Sequence, residues 1–110
     1  MLTSAATGSS LLGNWTRAQP LRAPRAAHAV VVAGNSIIAL GGTDEFGAPV
    51  LMVERFDGRR WTVETRLPVA AGLNAPAAAA IGSRIFVIGG FVGTGNIPTN
   101  AMRVYDLATR

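Results

Sequence analysis

Two stretches decide the reading of this chain: Gly34-Asn35-Ser36-Ile37-Ile38-Ala39-Leu40-Gly41-Gly42 and Gly82-Ser83-Arg84-Ile85-Phe86-Val87-Ile88-Gly89-Gly90. Each runs from a glycine through two polar and four apolar residues to a glycine pair, and the pairs start 48 residues apart (89 − 41). Upstream of each lies a run of small apolar residues, 29–33 and 77–81. Downstream lies an apolar run ending in an aromatic and an aspartate, Phe56-Asp57 and Tyr105-Asp106, 49 residues apart (105 − 56). Trp15 and Trp61 are 46 apart (61 − 15), and each is followed six residues later by a leucine, Leu21 and Leu67. Landmarks recurring in one order at a fixed period are the signature of a repeat architecture.

Local chemistry makes the repeating elements strands. The apolar runs are short, rich in β-branched and aromatic residues, and bounded by Gly, Pro, Asn or Asp. The glycine pairs end a strand where side chains would clash, and Asp57-Gly58 between two runs signals a hairpin turn. The alanines at 77–80 favour a helix by propensity, but Pro76 and Gly82 leave too few residues for one. Strands are therefore expected at 27–33, 36–42, 50–57 and 60–66, then at 76–81, 84–90 and 101–106. Short connections make each set an antiparallel meander. A four-stranded meander recurring at this period is one blade of a β-propeller, so the fold class is all-β.

Composition narrows the rest. The chain has 110 residues, no cysteine and one histidine, His28, so it can hold neither a disulfide nor a multi-histidine metal site. With 49% hydrophobic and 15% charged residues it is too apolar to be disordered. No apolar run is long enough to span a membrane as a helix. The formal charge of +4 comes from ten arginines scattered among six acidic residues. That is not the clustered stripe of a nucleic-acid surface, so no nucleic acid is expected. Residues 1–14 read as a loose leader lacking the basic and apolar regions of a secretory signal. The compartment stays open: cytoplasmic, or extracytoplasmic if the start is truncated.

In this frame Pro24-Arg25-Ala26-Ala27-His28, the doublet Gly41-Gly42, Phe56-Asp57 and Trp61 together resemble a kelch repeat, in the style of bacterial kelch proteins. The second repeat keeps Gly89-Gly90 and Tyr105-Asp106 but has Leu73-Asn74-Ala75-Pro76 in place of the Pro-Arg-x-x-His start. The resemblance covers 15–110 and implies kelch-type propeller blades. On it, 15–25 is the outer strand of a preceding or closing blade with its connection, 26–66 the first repeat, and 67–110 a second repeat stopping before its fourth strand. Arrays of this kind need about three or more repeats. The chain is therefore expected to be a fragment completed by further blades of a longer chain or by self-association.

Functional expectations follow from position in the meander. Structural roles go to the repeat residues His28, Gly41, Gly42, Phe56, Trp61, Gly89, Gly90 and Tyr105, with Trp15 also in the core. Arg25 and His28 are expected to hydrogen-bond neighbouring backbone. The loops joining strand two to strand three, and strand four to the next strand one, emerge on one face. They carry Arg22, Arg25, Asp44, Glu45, Phe46, Asn74, Phe91, Asn96 and Asn100. Charge, amide and exposed aromatic groups in loops on a rigid scaffold suit a protein or carbohydrate ligand. No catalytic constellation, cofactor motif or metal set is present. The chain reads as a noncatalytic binding scaffold. The alternative is part of a kelch-type carbohydrate enzyme, mutarotase-like or galactose-oxidase-like, with its catalytic residues outside this chain.

Overall fold

Ten strands and no helix make up residues 13–110, the part described by a computed structural model. The leader expected at 1–14 lies almost wholly outside the described residues. The first sheet is a meander of β1 (Ala29–Ala33), β2 (Ser36–Leu40), β3 (Met52–Phe56) and β4 (Trp61–Arg66), in that order. The second repeat supplies β6 (Ala77–Ile81), β7 (Arg84–Ile88) and β10 (Met102–Asp106), ordered β10-β7-β6. Every pairing is antiparallel. The expected strands therefore form, a residue or two shorter at most ends. The glycine pairs lie just beyond β2 and β7 rather than inside them.

Three further short strands were not expected. Leu73–Asn74 (β5), Phe91–Val92 (β8) and Ile97–Pro98 (β9) form a small sheet ordered β5-β8-β9, inside segments read as loops. The first repeat has the same arrangement in miniature, as isolated bridges Ala26↔Thr43 and Thr43↔Pro49. Each connection into a first strand thus clips against the loop leaving the second strand. This clip explains the glycine pairs: a Cβ on Gly41 would lie 2.8 Å from the Leu73 carbonyl oxygen, and one on Gly90 2.8 Å from that of Asn74. Gly42 is blocked in the same way by the Ala26 carbonyl. Side chains would clash at these three positions, crowded by the incoming backbone, whereas a Cβ on Gly89 would meet only the Thr99 carbonyl oxygen at 3.5 Å.

The core lies between the two repeats. Pairing of Ala29 with Leu40 and Val31 with Ile38 puts these residues on one face of the first sheet. Ile85 and Val87 join them from the second repeat, with Leu67, Val69 and Leu73 from the connection. Ile38 is 0% exposed and Ile85 1%. The opposite face of the second sheet is apolar and uncovered. Met102 pairs with Ile88 and Val104 with Phe86, and Ile81, Met102 and Val104 are all more than half exposed.

The expectations for Trp15 and His28 are corrected. Residues 15–25 carry no assigned strand, and the segment is tied to the first sheet through Glu54, which accepts from the Arg22 and Ala23 N–H groups. Trp15 is 82% exposed and is no core residue. Phe56 and Trp61 are half-buried, their rings 5.1 Å apart on adjacent strands, and the Trp61 indole donates to the Gln19 carbonyl at 3.0 Å. That indole bond ties the incoming segment to β4. Tyr105 does lie against the core. The His28 Nδ1 is buried without a hydrogen-bond partner, so the expected backbone bond is not made.

Candidate functional site

The loop face is where the repeats converge. Gly42 N–H donates to the Leu73 carbonyl at 2.8 Å and Ala75 N–H to the Ala27 carbonyl at 2.6 Å, stitching the two clips together. Ala27 and Ala75 hold the same left-handed conformation, φ 58° and 50°, at equivalent positions. Alanine in this region costs about 1–2 kcal/mol, so the stitched loops hold a strained backbone at the seam. Over the seam opens a cleft of about 520 Å³, lined by Ala27, Thr43 and Gly47 from the first repeat and by Asn74, Phe91 and Asn96 from the second. Phe91 is 40% exposed. The Asn74 Oδ1 is buried and accepts no hydrogen bond. Burying an unsatisfied acceptor costs about 1–3 kcal/mol.

Of the nine residues expected on the binding face, Asn74, Phe91 and Asn96 meet at this cleft. Arg22, Asp44 and Glu45 line a separate depression of about 400 Å³, with Pro49 and Arg66. Phe46 stands at the loop tip, 87% exposed, with its N–H and that of Ala48 bonded to the Asp44 carboxylate at 2.9 Å. Asn100 is exposed and lines neither hollow.

Arg25 is a correction. Its side chain is 0% exposed, and its guanidinium donates to the carbonyls of Gly41 (3.2 Å) and Met52 (2.9 Å) and to Glu54 Oε2 (2.7 Å). Glu54 is equally buried and also accepts from the backbone N–H groups of Arg22 and Ala23. Arg25 therefore locks the entering segment to β2 and β3 and offers nothing to a ligand. The chemistry of Pro-Arg-x-x-His did point to backbone bonding. Its buried carboxylate partner was missed, and the signal available was a lone glutamate inside an apolar strand.

Glu64 was also missed. Its carboxylate, 4% exposed, accepts from the Tyr105 hydroxyl (2.8 Å), Arg110 Nε (2.9 Å) and Arg55 Nη1 (3.4 Å). Burial alone pushes the carboxyl up, but the Tyr105, Arg110 and Arg55 donors outweigh it and hold it below the usual carboxylate range. Burial, and then the bond to the Glu64 carboxylate, pushes the Tyr105 hydroxyl up. This cluster ties β4 to β10 across the gap between repeats. Among the described residues no group of His, Asp and Glu is arranged to hold a metal ion, and no helix is long and apolar enough to cross a membrane.

A family model for the kelch motif matches residues 73–110. This chain is a kelch repeat protein. Alpha-scruin of Limulus polyphemus is 35% identical to it over 79 residues, covering 70% of this chain and 8% of that protein. Kelch-like protein 26 of Danio rerio is 31% identical over 105 residues, covering 91% of this chain and 17% of that protein. The kelch chain thus spans less than a fifth of the length of these relatives. Neither relative lends support to a bacterial source or to carbohydrate handling. The family match falls on the repeat that lacks Pro-Arg-x-x-His, so the kelch pattern there is carried by the doublet and the aromatic-Asp pair.

Proposed function

We propose that this kelch chain is a noncatalytic interaction module that binds a protein partner through its loop face. The repeats divide at about 26–66 and 67–110, with 15–25 as the connection that locks onto the first. The cleft over the seam carries this reading, because both repeats contribute to it and it holds a buried acceptor with no donor. Its lining has no ionisable side chain. It therefore offers shape, amide and aromatic contacts to a ligand, the means by which protein interfaces select partners. The stitched backbone beneath keeps the loops in place, so little ordering is left for binding to oppose.

Short peptides selected from a random library against the whole chain test the reading. Selected peptides are expected to shift the amide signals of Asn74, Phe91 and Asn96 and to lose binding to Phe91→Ala. Peptides that perturb only other surfaces, or a glycan panel that occupies the cleft where peptides do not, would overturn it.

A further inference from the structure

The two repeats differ in the charge that their third strands carry, away from the loop-face cleft. In the first repeat the third strand carries Glu54, neutralised by Arg25. At the equivalent places in the second repeat stand Arg103 and Leu73. The charge on the strand is reversed and the partner has become a hydrocarbon. Leu73 is absorbed by the core at 1% exposure. Among the described residues Arg103 has no ion pair, and its Nη1 is buried and makes no hydrogen bond.

Arg103 lies on the wall of a cavity of about 250 Å³ between the sheets. Ile38 and Leu40 line it from the first repeat, and Ile85 and Val87 from the second. Arg66 lines it as well, on the edge strand β4, and its guanidinium also has no ion pair among the described residues. The Glu64 carboxylate is already occupied by Tyr105, Arg55 and Arg110.

We propose that this inter-sheet cavity binds a small carboxylate with an apolar body, the carboxylate held by Arg103 and Arg66 and the body lying against Ile38, Leu40, Ile85 and Val87. A guanidinium without an anion in a partly desolvated place is costly, and a carboxylate pairs with it through charge-assisted hydrogen bonds. The apolar walls gain from displacing water by hydrocarbon. At roughly 30 Å³ per water-sized group, the volume takes on the order of eight such groups, the size of hexanoate. The site is independent of the loop-face cleft and shares no lining residue with it.

Titration of the whole chain with sodium hexanoate, hexan-1-ol and sodium acetate at constant ionic strength tests the proposal, read from the methyl signals of Ile38, Ile85 and Val87. Hexanoate is expected to shift these signals saturably and to bind about tenfold or more tightly than either control, the value of one charge-assisted bond or more. Arg103→Leu is expected to bring hexanoate down to the level of hexan-1-ol. Arg66→Gln, on an exposed side chain that does not threaten folding, is expected to weaken hexanoate and leave hexan-1-ol unchanged. Equal binding of hexanoate and hexan-1-ol to the unaltered chain would overturn the proposal. So would hexanoate leaving these methyls unmoved, or Arg66→Gln binding hexanoate as tightly as the unaltered chain.

Discussion

The Arg25 guanidinium donates to the Glu54 carboxylate at 2.7 Å with both side chains at 0% exposure. The pair joins the segment entering the first repeat to the middle of β3, and backbone groups of Arg22, Ala23, Gly41 and Met52 add four further hydrogen bonds, leaving the buried Arg25 Nε without one among the described residues. Removing one partner strands the other as a buried charge, which costs about 3–5 kcal/mol. Arg25→Met and Glu54→Gln are each expected to lower stability by about that amount or its lower end. The double variant is expected to cost less than the sum, by about 1–3 kcal/mol of coupling. Urea unfolding of the four proteins measures this, and additive costs would show that the pair does not act as a unit.

Gly90 and Gly34 make a matched contrast. Both have positive φ, 97° and 58°, but a Cβ on Gly90 meets the backbone of Asn74 and Pro76 at 2.8–3.1 Å, whereas one on Gly34 meets open space. Gly90→Ala is expected to cost about 2–4 kcal/mol, combining strain and clash. Gly34→Asn is expected to cost less than about 1 kcal/mol, since asparagine tolerates the left-handed region. Thermal unfolding of both variants decides it.

Ala75 makes the opposite prediction. It holds φ 50° in an exposed turn, where glycine would relieve about 1–2 kcal/mol of strain and give back part of it in chain entropy. Ala75→Gly is expected to be neutral or to stabilise by up to about 1 kcal/mol, read from the unfolding midpoint.

Stability is expected to fall at both ends of the pH scale. The Glu64 carboxyl, whose free value is 4.5, is lowered in the fold, so its contribution is complete above 4.5 and is lost as pH falls through the lower folded value. Tyr105, whose free value is 10.0, is raised, so its contribution is present below 10.0 and is lost as pH rises through the higher folded value. Glu64→Gln is expected to flatten both arms in urea titrations across pH. Some acid slope should persist. The Arg60 and Arg59 backbone N–H groups hold Asp57 low, and the Ser83 hydroxyl with the Ala108 N–H does the same for Asp106.

The uncovered face of the second sheet presents Ala77, Ala79, Phe86, Ile88, Met102 and Val104. Ala77, Phe86, Ile88 and Met102 are the repeat equivalents of Ala29, Ile38, Leu40 and Val53, with which the first sheet packs against the second. The isolated chain is therefore expected to self-associate through this face as concentration rises. Light scattering should show the association and its reduction by Val104→Glu, a substitution at a 52% exposed position.

Much of the fold was legible because its signals are local. Gly34–Gly42 and Gly82–Gly90 each carry a turn, a strand and a stop within nine residues, and their recurrence fixes the order of elements. The small sheet β5-β8-β9 was not legible, because two-residue strands leave no periodic trace. Trp15 and Leu21 carry the spacing of a strand, and residues 13–25 have none assigned.

The site divides along the same line. The loops that meet at the cleft follow from the alternation of an up-and-down meander, so Asn74, Phe91 and Asn96 were readable from position alone. Whether a given side chain on those loops faces solvent or the interior depends on contacts distant in sequence. Arg25 turns inward because Glu54, 29 residues later, waits inside the sheet, while Arg103 has no ion pair among the described residues because Leu73 stands where one would form. By itself the sequence determined an all-β kelch repeat chain and the face on which its loops emerge, since period and turn chemistry are properties of neighbouring residues. Only the tertiary structure decided which charges are neutralised and which are left open, because that is set by which side chains burial brings together.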